Sequence, residues 1–387
     1  MRLPEPAILF TTMQQPSGKI GNLTLTLGTG EAANTIASTV DTTKGVKGDK
    51  VTELTGYVAA VAQGEDITGK VAQVGTEYFD SLESAFAALK ADNHTLTLID
   101  GSAWPANEPV YWKVGDGQWT LSDTLVNALT AAYKANTDGK GDITIVCRPG
   151  ADVGKMTQGH VADNLAIYGN NAWISGGECD LEVDTYKYSR TTGSQAPDGE
   201  FLAQNITITA YELDNLGVWG QRNTSHTIDI NLNDCDSRFF TWTDTNQVKH
   251  TNSNQRVYIT SGPNKEGTNN ITLVGCDFKR SGNNDVWSSV YSNADGIIKI
   301  DGCVFDSVAV PVNLNHKALG TQSITIRNSA FANCGTVGDA AAKYAAPVRF
   351  VNSGGGTQNA AVDSVIFTDT VGNNGDILIG DGQTGVN

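Results

Sequence analysis

The sequence predicts an all-β chain whose second half is a solenoid, and three observations support this prediction. Glycine supplies 42 of 387 residues while proline supplies 10 and charged residues 18%, a composition that favours tight turns over helical bundles or disorder. Asparagine, which tolerates left-handed turn conformations, rises from 6 residues in 1–160 to 26 in 161–387. Short stretches of the second half also repeat at roughly 24–27 residues, and such periods mark solenoids.

The chain divides into three regions by pattern. Residues 1–75 are rich in Thr, Gly and Ala and contain strand-like alternation at Gly21–Leu27 and an apolar patch at Tyr57–Val61; the role of this extension is not constrained by the pattern. Residues 76–160 are expected to form a helix-containing entry region that covers the exposed end of a sheet stack. Residues 161–387 hold the repeats.

Two helix-then-strand units are expected in the entry region. In residues 80–91, Asp80 and Glu83 give a helix-start signal, and apolar residues recur at helical spacing; these are Leu82, Ala85, Phe86 and Leu89. A strand over residues 95–99 follows. The second unit has Ser122 as the expected cap, a helix through Leu125, Leu129 and Tyr133, and a strand over residues 142–147.

Five stretches of the second half align without gaps and define the repeat. Each reads apolar, x, apolar, x, x, small or cysteine, x, apolar; they are Ile206–Leu213, Ile230–Ser237, Ile271–Phe278, Ile298–Phe305 and Ile324–Phe331, with weaker copies at Leu165–Ala172 and Asn359–Ile366. Positions one and three share one strand face, and two turn residues then reset the phase so that positions six and eight also point inward. The pattern predicts a strand, a bend and a second strand around one core.

The cysteines are expected to be packed thiols. There are six, at positions 147, 179, 235, 276, 303 and 334, without a CxxC pair or zinc spacing, and they are too sparse for a disulfide scaffold. Stacked repeats place the residues at the sixth position in one inward-facing column. Cys235, Cys276 and Cys303 belong to this column, Ser329 takes the same position, and Tyr211 and Ser364 are also counted there.

The period and the two-strand signature resemble the right-handed parallel β-helix superfamily, which includes pectate lyases, polygalacturonases, phage tailspikes and many bacterial surface proteins. The resemblance covers residues 140–387 and implies a right-handed parallel β-helix behind a small α/β entry region. The segment Val74–Phe86 is also similar in style to the one that introduces the β-helix in surface proteins of Gram-positive gut bacteria. No functional residue is carried across from those proteins.

Charge and hydropathy exclude several classes of partner. The formal charge is −16, which argues against nucleic acid and against anionic membrane surfaces. No run approaches the ~20 apolar residues that cross a bilayer, and the start does not resemble a signal peptide. The chain is therefore expected to be a trimmed mature piece, a cytosolic product or a virion component released by lysis. An extracellular or cell-surface location is the leading expectation, and a virion location is the alternative for a phage component.

Two enzyme interpretations name candidate residues. Asn293-Ala-Asp-Gly296 is similar to the stretch that carries a catalytic acid in polygalacturonase-type hydrolases, which would make Asp295 the proton donor. No Asp-Asp pair follows, and His316 lies in Asn-His-Lys, so a turn entering the strand at Ile298 is the competing interpretation. A lyase would need Ca²⁺, for which Asp180, Glu182 and Asp184 alternate along one strand; a solvated strand face is the alternative.

A third cluster suggests a ligand surface without catalysis. Aromatic, arginine and histidine side chains follow one another around a turn, and these residue types stack on sugar rings and bind their hydroxyl groups; they are Trp219, Arg222, His226, Arg238 and Trp242. The aromatic members would otherwise belong to the core.

The sequence therefore predicts a non-catalytic, extracellular or surface-displayed β-helix module for adhesion, glycan binding or structural assembly, with no cofactor required. A polysaccharide lyase or glycoside hydrolase is the first alternative and a phage tail fibre or spike the second. The expected partners are a glycan or a host or cell-surface protein. Residues 376–387 still look like a β-helix turn, so the natural chain is expected to continue or a partner subunit to cover this end, with end-to-end or trimeric self-assembly as options.

Overall fold

The fold is taken from a computed structural model of the chain. It describes residues 22–27, 34–41, 45–46, 67–99, 103–136, 141–156, 159–161, 164–175, 180–183, 188–189, 194–195, 205–223, 227–238, 241–243, 249–251, 257–261, 267–279, 288–335, 346–370 and 375–380. The chain divides into two compact units, residues 1–69 and 70–387. Each unit is described by itself.

The described strands of the first unit form a small antiparallel sheet. Its strands are β1 (Asn22–Leu27), β2 (Asn34–Asp41) and β3 (Gly45–Val46), with β2 between the other two. The strand expected at Gly21–Leu27 is confirmed as β1, and Thr24 pairs with Ala37 at its middle. The expected run Tyr57–Val61 lies outside the described residues.

The second unit opens with a three-stranded antiparallel sheet and a short helix. These elements are β4 (Ala72–Val74), β5 (Glu77–Phe79), α1 (Leu82–Ala88) and β6 (Leu96–Leu98), with β4 central. The expected helix is confirmed, but its N-cap is Ser81 and not Asp80, because the Ser81 hydroxyl accepts a hydrogen bond from the Ser84 amide at 3.2 Å. All four residues of the expected apolar stripe are buried.

The second helix-then-strand unit is also confirmed. It contains β7 (Val110–Val114), β8 (Thr120–Ser122), α2 (Leu125–Ala135), β9 (Ile143–Cys147) and β10 (Asp152–Lys155). Ser122 is wrong as the cap, because it ends β8; Thr124 caps α2 and accepts from the Asn127 amide at 3.3 Å. Within the described ranges, neither helix is long and apolar enough to span a membrane.

The remaining strands follow in chain order. They are β11 (Gly159–Val161), β12 (Leu165–Ser175), β13 (Asp180–Val183), β14 (Tyr188–Ser189), β15 (Ser194–Gln195), β16 (Ile206–Asp214), β17 (Gly217–Asn223), β18 (Thr227–Asn233), β19 (Asp236–Arg238), β20 (Thr241–Thr243), β21 (Lys249–Thr251), β22 (Val257–Ser261), β23 (Thr268–Val274), β24 (Asp277–Lys279), β25 (Val290–Ser292), β26 (Gly296–Asp301), β27 (Val304–Asp306), β28 (Val312–His316), β29 (Thr321–Arg327), β30 (Ala330–Ala332), β31 (Val348–Asn352), β32 (Thr357–Asp363), β33 (Ile366–Thr368) and β34 (Ile377–Ile379).

Most of these strands belong to three sheets with parallel pairing. Sheet 1 has the order β32-β29-β26-β23-β18-β16-β12-β9-β7-β8, with β10 beside β12; sheet 2 is β19-β24-β27-β30-β33; sheet 3 is β11-β13-β17-β22-β25-β28-β31-β34. Among the described strands of these sheets, only β7 pairs antiparallel, with β8 and β9. From β18 onward the chain visits sheets 1, 2 and 3 in that order five times. The protein is thus an all-β chain dominated by parallel sheets.

Each repeat turns a sharp bend between its strands in sheets 1 and 2. The first bend residue has a positive φ angle, a conformation that favours small or turn-forming residues; these residues are Asp234, Gly275, Gly302, Asn328 and Ser364. The next residue points into the core, where Cys235, Cys276, Cys303 and Ser329 are buried. The expected strand, bend and strand sequence is confirmed.

Two residues, Tyr211 and Ser364, were wrongly assigned to the inward-facing sixth position of the repeat. Ile208 pairs with Ile230, so the repeat in the first stretch begins two residues later than expected. Its bend residue is Glu212, at φ 50°, and Leu213 occupies the sixth position in place of Tyr211. In the last stretch, Arg327 pairs with Asp363, so Ser364 is the bend residue and Val365 occupies the sixth position. Both shifts arise where a residue type atypical of the position hides the bend.

The described cysteines are free and buried, as expected from their spacing; Cys179 lies outside the described residues. Burial raises the pKa of the Cys147, Cys235 and Cys334 thiols to about 12, so at neutral pH they carry no nucleophilic thiolate.

We expect native protein to resist iodoacetamide at these three positions, and unfolded protein to be labelled at each, as measured by peptide mass spectrometry. Labelling of Cys235 in the native state at the rate of the unfolded chain would contradict this packing.

Candidate functional site

The outward face of sheet 1 carries two rows of aligned side chains, because parallel register places equivalent residues beside one another at about 4.8 Å. Row 1 runs through Asn231, Thr272, Lys299 and Thr325. Row 2 runs through Tyr168, Tyr211, Asn233, Val274, Asp301 and Arg327. The neighbouring inward residues, such as Ile271, Ile300 and Ile326, are completely buried, which keeps the two rows on a rigid surface.

A groove of about 430 Å³ lies over the last three members of each row, from Thr272 and Val274 to Thr325 and Arg327. It spans β23, β26 and β29, and its lining residues are Thr272, Val274, Lys299, Ile300, Asp301, Thr325 and Arg327. The lining combines two hydroxyl groups, one exposed apolar side chain and three charged groups. This mixture suits a ligand with both hydroxyl groups and apolar ring edges.

The carboxylate of Asp301 is fully engaged inside the groove. Arg327 donates to Asp301 Oδ2 from Nε at 2.9 Å and from Nη2 at 2.7 Å, and Asn328 Nδ2 donates to Oδ1 at 2.9 Å. These hydrogen bonds, first those of Arg327 and then that of Asn328, lower the pKa of Asp301. Asp301 therefore stays ionised and is unsuited to donate a proton.

Lys299 has different surroundings from Arg327. It is exposed, and its register neighbours on both sides are threonines. Among the residues that the structure describes, no acidic group lies within ion-pair distance of its ammonium group. The Lys299 side chain therefore offers three unused donors to a ligand, between the Thr272 and Thr325 hydroxyl groups.

A wall made by the entry region covers one end of row 2. His94 precedes β6 and stacks on Tyr211, with ring centroids 4.8 Å apart. Its Nε2 lies 3.4 Å from Glu212 Oε1 and 3.7 Å from Asp234 Oδ2, and Thr95 Oγ1 donates to Glu212 at 2.5 Å. The entry region is thus fixed to the bends of two successive repeats.

The structure brings Asp295 together with His316. His316 Nε2 lies 2.7 Å from Asp295 Oδ1, with the imidazole completely buried and the Asp295 side chain 30% exposed. The pair fits because Gly320 lacks a side chain: a Cβ atom there would lie 2.3 Å from Asp295 Oδ2. Within the described part of the chain, His316 Nδ1 has no hydrogen-bond partner. Residues 293–295 lie directly before β26, where the turn interpretation put them.

The five residues predicted to bind a ligand are spread over several strands. Trp219 lies half-buried in β17 on sheet 3, beside Tyr258 and Glu182. Arg222 is also in β17, Arg238 ends β19 on sheet 2, and Trp242 lies in the β20–β21 hairpin; the side chains of these three are not described. His226 lies outside the described residues. This binding set stays a prediction.

The predicted calcium ligands are only partly placed. Asp180 and Glu182 lie in β13, paired with Gly217 and Trp219, and Asp184 lies outside the described residues. Among the described side chains, no group of three His, Cys, Asp or Glu residues is arranged to hold a metal ion. The calcium hypothesis stays a prediction.

The sequence interpretation missed the groove although the repeat alignment contains it. Its charged and hydroxyl residues occupy positions two and four of the aligned stretches, the positions that alternate with the inward ones. Stacking positions two and four in register would have found Thr272, Lys299 and Thr325. His94 had no such signal, because it reaches the rows only through tertiary contacts.

Comparison with protein-family models, curated proteins and solved structures finds no match to this chain.

Proposed function

We propose that the protein is a right-handed parallel β-helix that serves as a non-catalytic, extracellular or surface-displayed module and binds a glycan on the outward face of sheet 1. The regular order in which the chain visits the three sheets supports the helix. Its right-handed sense is supported by the strong preference of parallel crossovers for that hand, about 98% of cases.

The observation that carries the glycan proposal is the groove itself. It offers hydroxyl, ammonium and guanidinium groups beside the exposed apolar side chain of Val274. Sugars present the complementary surface, with hydroxyl groups around the ring and apolar C–H faces. The strands hold the backbone of these residues at a fixed spacing, and Asp301 fixes the Arg327 guanidinium before the ligand arrives, which reduces the entropy cost of binding.

The same groove supports binding over catalysis. Hydrolysis of a glycosidic bond needs a protonated acid and a second carboxylate, whereas the carboxylate that lines this groove stays ionised, paired with Arg327 and hydrogen-bonded by Asn328.

A glycoside hydrolase is the second candidate, favoured by the contact between Asp295 and His316. Asp295 directly precedes β26, the strand that carries Lys299 and Asp301, and its side chain is 30% exposed. In this candidate Asp295 supplies the proton and His316 positions its carboxyl group.

Replacing Lys299 by alanine tests the glycan proposal. We expect the affinity for the best ligand found on a panel of pectins, mucins and host glycans to fall by about tenfold or more, since charged hydrogen bonds contribute about 1.5–3 kcal/mol. Isothermal titration calorimetry measures the change. Lys90→Ala is the matched control, because Lys90 is an exposed lysine paired with Asp92 outside the groove.

Two outcomes of this experiment would contradict the proposal. Equal affinity of the wild type and Lys299→Ala would remove the groove from binding. New reducing ends, or unsaturated sugars with or without Ca²⁺, that are lost in Asp295→Ala would establish the hydrolase or lyase candidate in place of the binding module.

A further inference from the structure

We propose that the groove recognises the end of a glycan chain and not an internal stretch of it, a proposal that rests on the glycan-binding function above. The observation behind it is that row 2 is open at one end and closed at the other by the wall of the entry region.

The exposure of row 2 changes sharply along its length. Tyr168 and Tyr211 are only 9% and 7% exposed, although they belong to the outward row. Farther along the same row Val274 is 39% exposed, and the Arg327 side chain is 56% exposed. A chain that lies along row 2 can therefore enter past Arg327 but cannot continue over Tyr211.

The wall is held by aromatic stacking and a hydrogen bond, so it blocks a glycan chain at the end of row 2. Tyr211 stacks on Tyr168 at 5.2 Å and on His94 at 4.8 Å, and Tyr168 donates from its hydroxyl to the Leu89 carbonyl at 3.3 Å. Tyr111, Phe86 and Leu96 continue the same buried cluster. Because this packing would have to be broken to extend the groove, the closure belongs to the folded state.

Polar side chains also lie next to the wall, where they can contact the end of a bound glycan chain. The Asp234 side chain is 56% exposed, and Asn233 precedes it in row 2. A carboxylate beside an amide can accept and donate hydrogen bonds with neighbouring hydroxyl groups. At a chain end the terminal sugar carries a free hydroxyl group where an internal sugar carries a glycosidic bond, so these groups can distinguish the two.

The length of the site limits how many sugars contribute. From β16 at the wall to β29 at the far side of the groove there are four strand spacings, about 19 Å. A short oligosaccharide fills this distance, and added sugars would lie over Ala361 and Asp363 of β32, beyond the residues that line the groove. Affinity is therefore expected to stop rising with length once a few sugars are bound.

The experiment uses the full chain and linear oligosaccharides of the glycan that the Lys299 comparison identifies, from dimers to octamers. Each length is prepared with both ends free, with the reducing end converted to an alditol, and with the non-reducing end capped by methylation. We expect affinity to level off among the shorter members and to fall by about tenfold when one of the two ends is blocked. The end that matters identifies which terminus meets the wall.

Asp234→Gly tests the role of the wall, because glycine occupies the equivalent bend position at Gly275 and Gly302. This variant is expected to bind free and blocked ends equally while it keeps the dependence on Lys299. Asp363→Ala is the control, since Asp363 lies beside Arg327 at the open end of row 2, and its preference for the free end should be unchanged.

Other results separate the two proposals. Affinity that grows steadily through the octamer and ignores both caps would overturn chain-end recognition and leave glycan binding intact. If no probe shows a Lys299-dependent affinity, glycan binding fails, and chain-end recognition fails with it.

Discussion

Replacing Phe305 by alanine is expected to lower the free energy of unfolding by about 3–5 kcal/mol, the range for a large aromatic side chain lost from a core. Phe305 is completely buried and lies in the middle of a stack of rings from successive repeats. Its centroid is 5.1 Å from that of Phe278 and 4.8 Å from that of Phe331. The substitution removes ring contacts with both neighbours at once and leaves a cavity between them.

Val304→Ala provides the matched control. Val304 precedes Phe305 on the same strand but points outward and is 40% exposed, so its truncation should cost less than about 0.5 kcal/mol. Guanidinium denaturation followed by circular dichroism measures both variants. Equal destabilisation of the two would show that the ring stack does not hold the repeats together.

Gly296→Ala is the second substitution with a large expected effect, about 2–5 kcal/mol from backbone strain together with a steric clash. Gly296 begins β26 with φ 138°, and a Cβ atom there would lie 2.2 Å from the Asn269 carbonyl oxygen. That oxygen belongs to the backbone of the preceding repeat, so relief requires the strands to move apart.

Gly302→Ala, just beyond the other end of the same strand, separates conformation from space. Gly302 also has a positive φ, 65°, but a Cβ atom added there would lie 3.8 Å from its nearest neighbour, the Gly275 amide nitrogen. Only the conformational cost of about 1–2 kcal/mol then remains. Thermal unfolding of the two variants compares them, and a Gly302→Ala protein less stable than Gly296→Ala would contradict the close approach at Asn269.

The sequence predicts the fold well where the repeat is regular. In the stretches that begin at Ile271, Ile298 and Ile324, apolar alternation and a small bend residue place every inward side chain correctly, because a strand has a period of two and its phase changes only at the bend. Prediction failed at Glu212, where a long acidic residue holds the left-handed conformation that asparagine, aspartate or glycine holds in most other repeats.

The candidate site was less accessible to sequence reasoning. Asp295 and His316 were both noted, but their contact depends on the spacing of successive repeats and on the space left by Gly320. The groove depends on register between strands, and its wall on a histidine from a separate region. The Asp295–His316 contact and the wall leave no periodic trace along the chain, whereas the groove residues recur at positions two and four of the repeat.

The register of sheet 1 makes the spacing of residues on the binding face independent of the length of the connections between its strands. The path from Asn231 to Thr272 contains the β20–β21 hairpin and is much longer than the path from Thr272 to Lys299, yet both pairs are direct neighbours in row 1. Insertions and deletions between strands can therefore accumulate during evolution without moving the residues that face the ligand. Selection can reshape the loops and the binding rows independently, and related chains should vary most in the lengths of their connections.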